Sequence, residues 1–291
     1  MSRWYSIIFL SLKRRRSKLN VGMVLIFGLL SSTQVQADLR FLPETRHHLF
    51  STFSFFVDDQ TTLVIRDGGR AWGGFGGNFA LAEMEDWGWK PQLVLFASAN
   101  FAFRSNSWAL DFLTETFDGR FGVAVESILS PEWRLSLGML HLSGHTADSI
   151  VDPELKVPNL GDDFIVARIL YAGFSDFRLG ASLKPITNSD PVRQFFAADQ
   201  FAEWFPWGPQ DSRSNPSPFL ALGLEEDGAR KIDLNFHAQL GAYVGAHAKR
   251  EYRQSMRIVL GYYNGFDPRS KYARFKNTRT HFVYGGLMFN L

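Results

Sequence analysis

The sequence predicts an all-β fold: an antiparallel transmembrane β-barrel of about twelve strands. Three observations lead there. Segments of about ten residues alternate with period two, one face apolar and the other small or polar. No apolar run beyond the N-terminal leader reaches the roughly 18 residues of a membrane helix. The chain ends in an apolar, aromatic strand-like segment, Tyr284 to Leu291.

The leader comes first. Lys13-Arg14-Arg15-Arg16 and Lys18 form a basic region, and Val21 to Leu30 is a short apolar stretch. Val35-Gln36-Ala37 offers small residues where a signal peptidase reads them. Residues 1–37 are therefore expected to be a signal peptide, with 38–291 as one barrel domain. The leader's six Lys and Arg, against no acid, leave 25 basic and 29 acidic residues, a net of −4. The formal charge of +2 belongs to the leader, so no nucleic-acid partner is expected. The chain has no Cys, which excludes a disulfide framework, a thiolate metal site and a Cys nucleophile.

Strands are expected over 49–58, 74–83, 92–103, 115–127, 133–145, 164–173, 177–183, 194–204, 218–225, 232–245, 252–264 and 281–291. An even count near twelve suits a single-chain bacterial barrel. Such barrels carry short turns on one side and long loops on the other. The expected connections 59–73, 146–163 and 265–280 are long, and those around Ser130-Pro131 and Phe174-Ser175-Asp176 are short. The short 226–231 and the long 205–217 break the parity. Trp87, Trp89, Trp108, Trp133, Trp204 and Trp207 lie near strand ends, as an interfacial aromatic girdle would. The glycine pairs 68–69, 73–74 and 76–77 precede no helix pattern and so are not a nucleotide loop. At the C-terminus Tyr284, Gly286, Phe289 and Leu291 follow the spacing of the recognition strand, with Leu where Phe is usual. The partners implied are outer-membrane lipids and the barrel assembly machinery.

The stretch WRLSLGMLHLSGH, 133–145, carries the chemistry. Trp133, Leu135, Leu137 and Met139 share one face with His141, Ser143 and His145. The other face is Arg134, Ser136, Gly138, Leu140, Leu142 and Gly144. A His and a Ser two apart on one strand face the same way, so the imidazole can take the hydroxyl proton. An orienting acid is needed. With strands paired about Ser130, Glu115 is expected opposite His145 on the outward face. Asp163 on the next strand is the other candidate. The plain alternative is that these polar residues mark where the apolar band stops. His47-His48 and His237…His247 lack acidic partners at ligand spacing and read as surface histidines, so no metal or cofactor is expected. Arg120, Asp118, Glu126 and Arg168 are expected in the lumen, lining a pore or plugging it with salt bridges.

The chain resembles an uncharacterised family of bacterial outer-membrane barrels known only as a domain of unknown function. The residues that carry this are Leu110-Asp111-Phe112, then His141, Ser143, His145 and Asp148, then Tyr263-Asn264-Gly265. Gly144, Ala147 and Ser149 stand where the family pattern has Ser, Gly and Glu. The resemblance implies a bacterial outer-membrane location and no specific activity. Locally, His141-Leu142-Ser143 is similar to the sites of outer-membrane phospholipase A and the lipid A deacylases. Three functions stand open: a barrel of unassigned role, such as a narrow pore or structural envelope component; an outer-leaflet lipid esterase; and a soluble periplasmic β-protein.

Overall fold

The structure is a computed structural model. It describes residues 39–46, 55, 61–85, 87–105, 112–147, 158–190, 196–207, 216–227, 234–245, 255–269 and 279–290. The expected leader lies outside these.

The described strands are β1 Leu39–Phe41, β2 Thr61–Arg66, β3 Arg70–Met84, β4 Gln92–Ser105, β5 Phe112–Ile128, β6 Trp133–Thr146 and β7 Leu160–Tyr171. They continue with β8 Phe177–Asp190, β9 Phe196–Trp204, β10 Ser217–Asp227, β11 Leu234–Gly245, β12 Ser255–Phe266 and β13 Arg279–Asn290. From β3 to β13 every strand pairs antiparallel with the next. β13 pairs with β2, and β2 with β3, so twelve strands, β2 to β13, close into a barrel. Closure satisfies the backbone groups and leaves no free edge, which a hydrocarbon surround requires.

The first barrel strand differs from the expected one. Phe55, the one described residue of 49–58, is not in a strand. The expected loop 59–73 instead contains β2 and a tight turn, Asp67–Gly69, with Gly68 and Gly69 at φ 74° and 69°. The misplacement has a physical cause. The Phe-rich run looked like a wall strand, yet Phe55 sits inside, against Leu170 and Phe201 and edge-on to His237 at 4.9 Å. β1 pairs with the other end of β3, Leu39 opposite Met84. The chain then turns off the wall at Leu42, whose φ is 49°. Pro43 and Arg46 are buried. Arg46 meets Glu83 at 2.8 Å, its backbone N–H donates to Gln92 Oε1, and its guanidinium donates to the Lys90 carbonyl.

Period-two alternation sorts the side chains. Leu63 and Ile65 on β2, Phe75 and Phe79 on β3, Phe121 on β5, Leu137 on β6, Leu183 on β8, Leu240 on β11, Ile258 and Leu260 on β12 and Val283 on β13 all point outward, each at least half exposed. Left in water, each would forgo roughly 1.5–3 kcal/mol of burial. Contact with lipid removes that cost, and the belt encircles the barrel. Inside, one part of the lumen is aromatic, with Trp72, Tyr243, Tyr263, Phe282 and Tyr284 in one cluster. Another part is charged. Arg178 and Glu203, both almost fully buried, pair at 2.6 Å, and Lys184 pairs with Asp199. The lumen-facing charges Arg120, Glu126 and Arg168 line a cavity of about 50 Å³ together with Lys184 and Ser136. His237 is not a surface histidine. It is 1% exposed in the lumen, between Phe55 and Tyr263, with Glu225 3.8 Å away.

Five of the six strand-end tryptophans collect at one rim, the rim where β6 starts and β13 ends. Trp87 stacks on Trp89 at 5.0 Å, Trp133 meets Tyr171 at 4.8 Å, and Phe177 stacks on Trp204. Trp207 is exposed beside them in sequence. Trp108 lies outside the described residues. The opposite rim, where β6 ends, is the far rim below.

Candidate functional site

The site lies on the outer surface near the far rim, across β4 to β8. Three cross-strand rows define it. Opposite residues share a face, so each row reads across the wall. In the middle row Ala99 pairs with Gly119, Gly119 with Ser143, and Ser143 with Gly161. In the next row, towards the girdle, Phe121 pairs with His141, His141 with Asp163, and Asp163 with Asn188. In the row towards the far rim, Phe101 pairs with Phe117 and Phe117 with His145.

The strand pairing brings two of the expected residues together. His141 Nδ1 and Asp163 Oδ1 are 2.7 Å apart, with the side chains 32% and 38% exposed. Against a carboxylate, Nδ1 carries the proton and donates, which leaves Nε2 as the basic nitrogen. Asp163 is itself held. Its Oδ2 accepts from the Asn188 amide at 3.1 Å, and its backbone carbonyl accepts from the Thr187 hydroxyl at 3.1 Å. A β-bulge lets this happen. The register shifts between Asp163 and Phe164, setting Asn188 and Ile186 as partners and leaving Thr187 extra. The imidazole is covered on the side of β5 by Phe121, ring centroids 4.8 Å apart.

Ser143 shares this face, between the two rows of rings. Its hydroxyl donates to the Gly119 carbonyl at 3.5 Å and not to His141. A Ser143–His141 contact would need the Ser143 hydroxyl to turn, since His141 is held on Asp163. His145 stacks on Phe117 at 6.0 Å. Asp148 lies outside the described residues.

Glu115 is not part of this site. The register sets His145 opposite Phe117, two residues from the expected pairing, and Thr146 opposite Thr116. A second bulge is the reason. Thr114 and Thr116 are consecutive partners of Phe103 and Ala102, so Glu115 is the extra residue, and it is 1% exposed. There it receives Arg269 at 2.6 Å, with Arg70 and Arg104 at 3.8 and 3.6 Å. Its role is to anchor the segment after β12. Asn188 was missed because the expected strand ends at 183 whereas β8 runs on to Asp190, and its pairing with Asp163 depends on the bulge.

Depth follows from counting along β6. Ser143 lies ten residues beyond Trp133 of the girdle. At about 3.3 Å per residue and a tilt near 40°, that is about 25 Å, the height of the apolar band. Ser143 therefore stands about one band height from the girdle, with Phe101 and Phe117 one row beyond it. Among the described residues no group of three or more His, Cys, Asp or Glu is placed to hold a metal. Among the described residues no helix is long and apolar enough to cross a membrane, which says nothing of strands. No protein-family model matches the chain, and no curated protein matches it.

Proposed function

We propose that this barrel resides in a bacterial outer membrane and acts there as a serine-dependent lipid esterase, its site opening on the outer leaflet. The observation that carries the reading is the His141–Asp163 pair at 2.7 Å on the outward face beside Ser143. Ionisable groups on a lipid-facing surface are costly and call for a function. A band edge needs polar residues, but it does not need an imidazole locked by a carboxylate that is itself locked by an amide.

The roles follow from position. Ser143 Oγ turns from the Gly119 carbonyl and attacks an ester carbonyl carbon, giving its proton to His141 Nε2. Asp163 holds Nδ1–H and stabilises the imidazolium. The tetrahedral adduct collapses with cleavage of the carbon–oxygen bond, and His141 returns the proton to the departing alcohol. Water, deprotonated by the same nitrogen, then attacks the acyl-serine, releases the fatty acid and restores Ser143. The site stands at the depth where ester linkages meet headgroups, so the substrate needs no extraction from the bilayer.

The buried pairs Arg178–Glu203 and Lys184–Asp199, with Phe55 among the inward residues, favour a filled barrel over an open pore. The test uses refolded protein in mixed micelles. Wild type should hydrolyse phospholipid esters and be labelled by a serine-reactive phosphonate at Ser143, and S143A should lose both with its folded gel mobility unchanged. Absence of labelling of folded wild type, with calcium supplied and withheld, refutes the esterase reading. Recovery of the protein in a soluble periplasmic fraction refutes the location.

A further inference from the structure

The three rows around Ser143 do more than place a nucleophile. The middle row is a trough whose walls differ in chemistry at its two ends. On the β4–β5 side its floor is Gly119 and Ala99, and its walls are rings. Phe101 and Phe117 stand on one side, 5.2 Å apart, and Phe121 stands on the other. Phe75, opposite Ala99 on β3 and 62% exposed, closes that end. On the β7–β8 side the floor is Gly161, and the neighbours are Asp163, Asn188 and Asp190.

Resting on the esterase reading, we propose that the trough sets substrate orientation and favours acyl chains long enough to lie along its walled part. The acyl chain lies on the phenylalanine side, over Gly119 and Ala99. The departing alcohol with its polar headgroup lies over Gly161, beside Asp163, Asn188 and Asp190. The substrate class is thus an acyl ester of a polar alcohol, entered in one direction only.

Two observations give the trough its shape. A Cβ on Gly119 would come within 3.1 Å of Ser143 Oγ and 3.4 Å of the Phe117 ring, so a side chain there would press on the nucleophile. A Cβ on Gly161 would meet nothing within 4 Å, so the protein leaves that space open. From Ser143 to Ala99 is two inter-strand spacings, about 10 Å. Phe75 then stands in the path, so the walled part contacts only the ester-proximal carbons and the rest of the chain runs into the bilayer. The charged end is a poor place for methylenes, and the phenylalanine end is a poor place for a headgroup, which is what fixes direction.

Both ends can be filled without replacing Ser143, His141 or Asp163, and each variant's rate on the smaller substrate reports any pressure on Ser143, the partner of Gly161. Ala99→Trp fills the apolar end. The ratio of kcat/KM for palmitoyl over butyryl esters of one alcohol should fall by about ten-fold, because several methylene contacts are lost. Gly161→Leu fills the polar end. The ratio of kcat/KM for a phosphoglyceride over the methyl ester of the same acid should fall by a similar factor. Each variant is first checked for folded, heat-modifiable migration, with Ala99→Leu and Gly161→Ala as milder replacements where the first fails. An active wild type with both ratios unchanged in folded variants overturns the trough and leaves the esterase standing. Reversed effects, with A99W acting on the alcohol and G161L on the chain, overturn the direction. A folded wild type that hydrolyses no ester overturns the esterase reading and the trough with it.

Discussion

Replacing Asp163 by Ala separates a catalytic role from a structural one, because the two roles predict different magnitudes. Asp163 is 38% exposed and His141 32%, so as an ion pair their contact contributes at most about 1 kcal/mol to stability. Asn188 loses one bond but is exposed and can turn to water, and Thr187 keeps its bond to the Asp163 backbone carbonyl. The urea midpoint of D163A should therefore lie close to wild type. Catalysis uses the same contact differently. In the transition state His141 becomes cationic, and the 2.7 Å bond to a carboxylate becomes charge-assisted at both ends. Losing both the tautomer control and that stabilisation should raise the barrier by roughly 2–4 kcal/mol, a fall in kcat of about 30- to 1000-fold. Partial exposure places the effect towards the lower end. The assay is release of fatty acid from phospholipid in mixed micelles, alongside urea unfolding followed by gel mobility. A D163A rate within three-fold of wild type would refute the argument, and so would a stability loss large enough to account for the lost rate.

Two further predictions concern the barrel. Arg178→Ala leaves Glu203, fully buried, without its guanidinium, and should destabilise the folded barrel by about 3–5 kcal/mol in urea titration. Replacing both residues by Leu and Met should recover most of that loss, and a double variant no more stable than R178A would refute the account. Phe289→Asp puts a carboxylate on the outward face of the last strand. Charge there costs about 2–4 kcal/mol at the midplane and less near an interface. Loss of membrane-inserted protein in cells is expected, and normal insertion would show that the terminal pattern is not read by the assembly machinery.

Eleven of the twelve barrel strands were legible, because lipid outside and packed side chains inside impose strict alternation, and alternation is visible in a single sequence. The interval 133–145 matched β6 almost to the residue for that reason. The first strand was not legible. The run 49–58 is apolar enough for a wall, but Phe55, its one described residue, is buried in the lumen, and an apolar residue reads the same whichever way it faces. Glu115 failed for a different reason. The outward assignment assumed unbroken alternation, and a single extra residue at a bulge reverses the face. His237 looked superficial because it had no acidic partner nearby in sequence, whereas Glu225 reaches it from the neighbouring strand β10. The His141–Asp163 contact was within reach, since both lie on adjacent strands and Asp163 was one of two candidates. The choice between them required the register.

The short first barrel strand, β2, has a consequence for how the barrel comes together. β12 and β13 are joined along twelve residue pairs, while β13 meets β2 along six, from Tyr284 to Phe289. That short seam also joins the two ends of the barrel's own sequence, the most distant pairing in the fold and the slowest to find by diffusion. A nascent sheet can thus grow strand by strand as an open ribbon before its ends meet. The last step is a short zipper of six residue pairs.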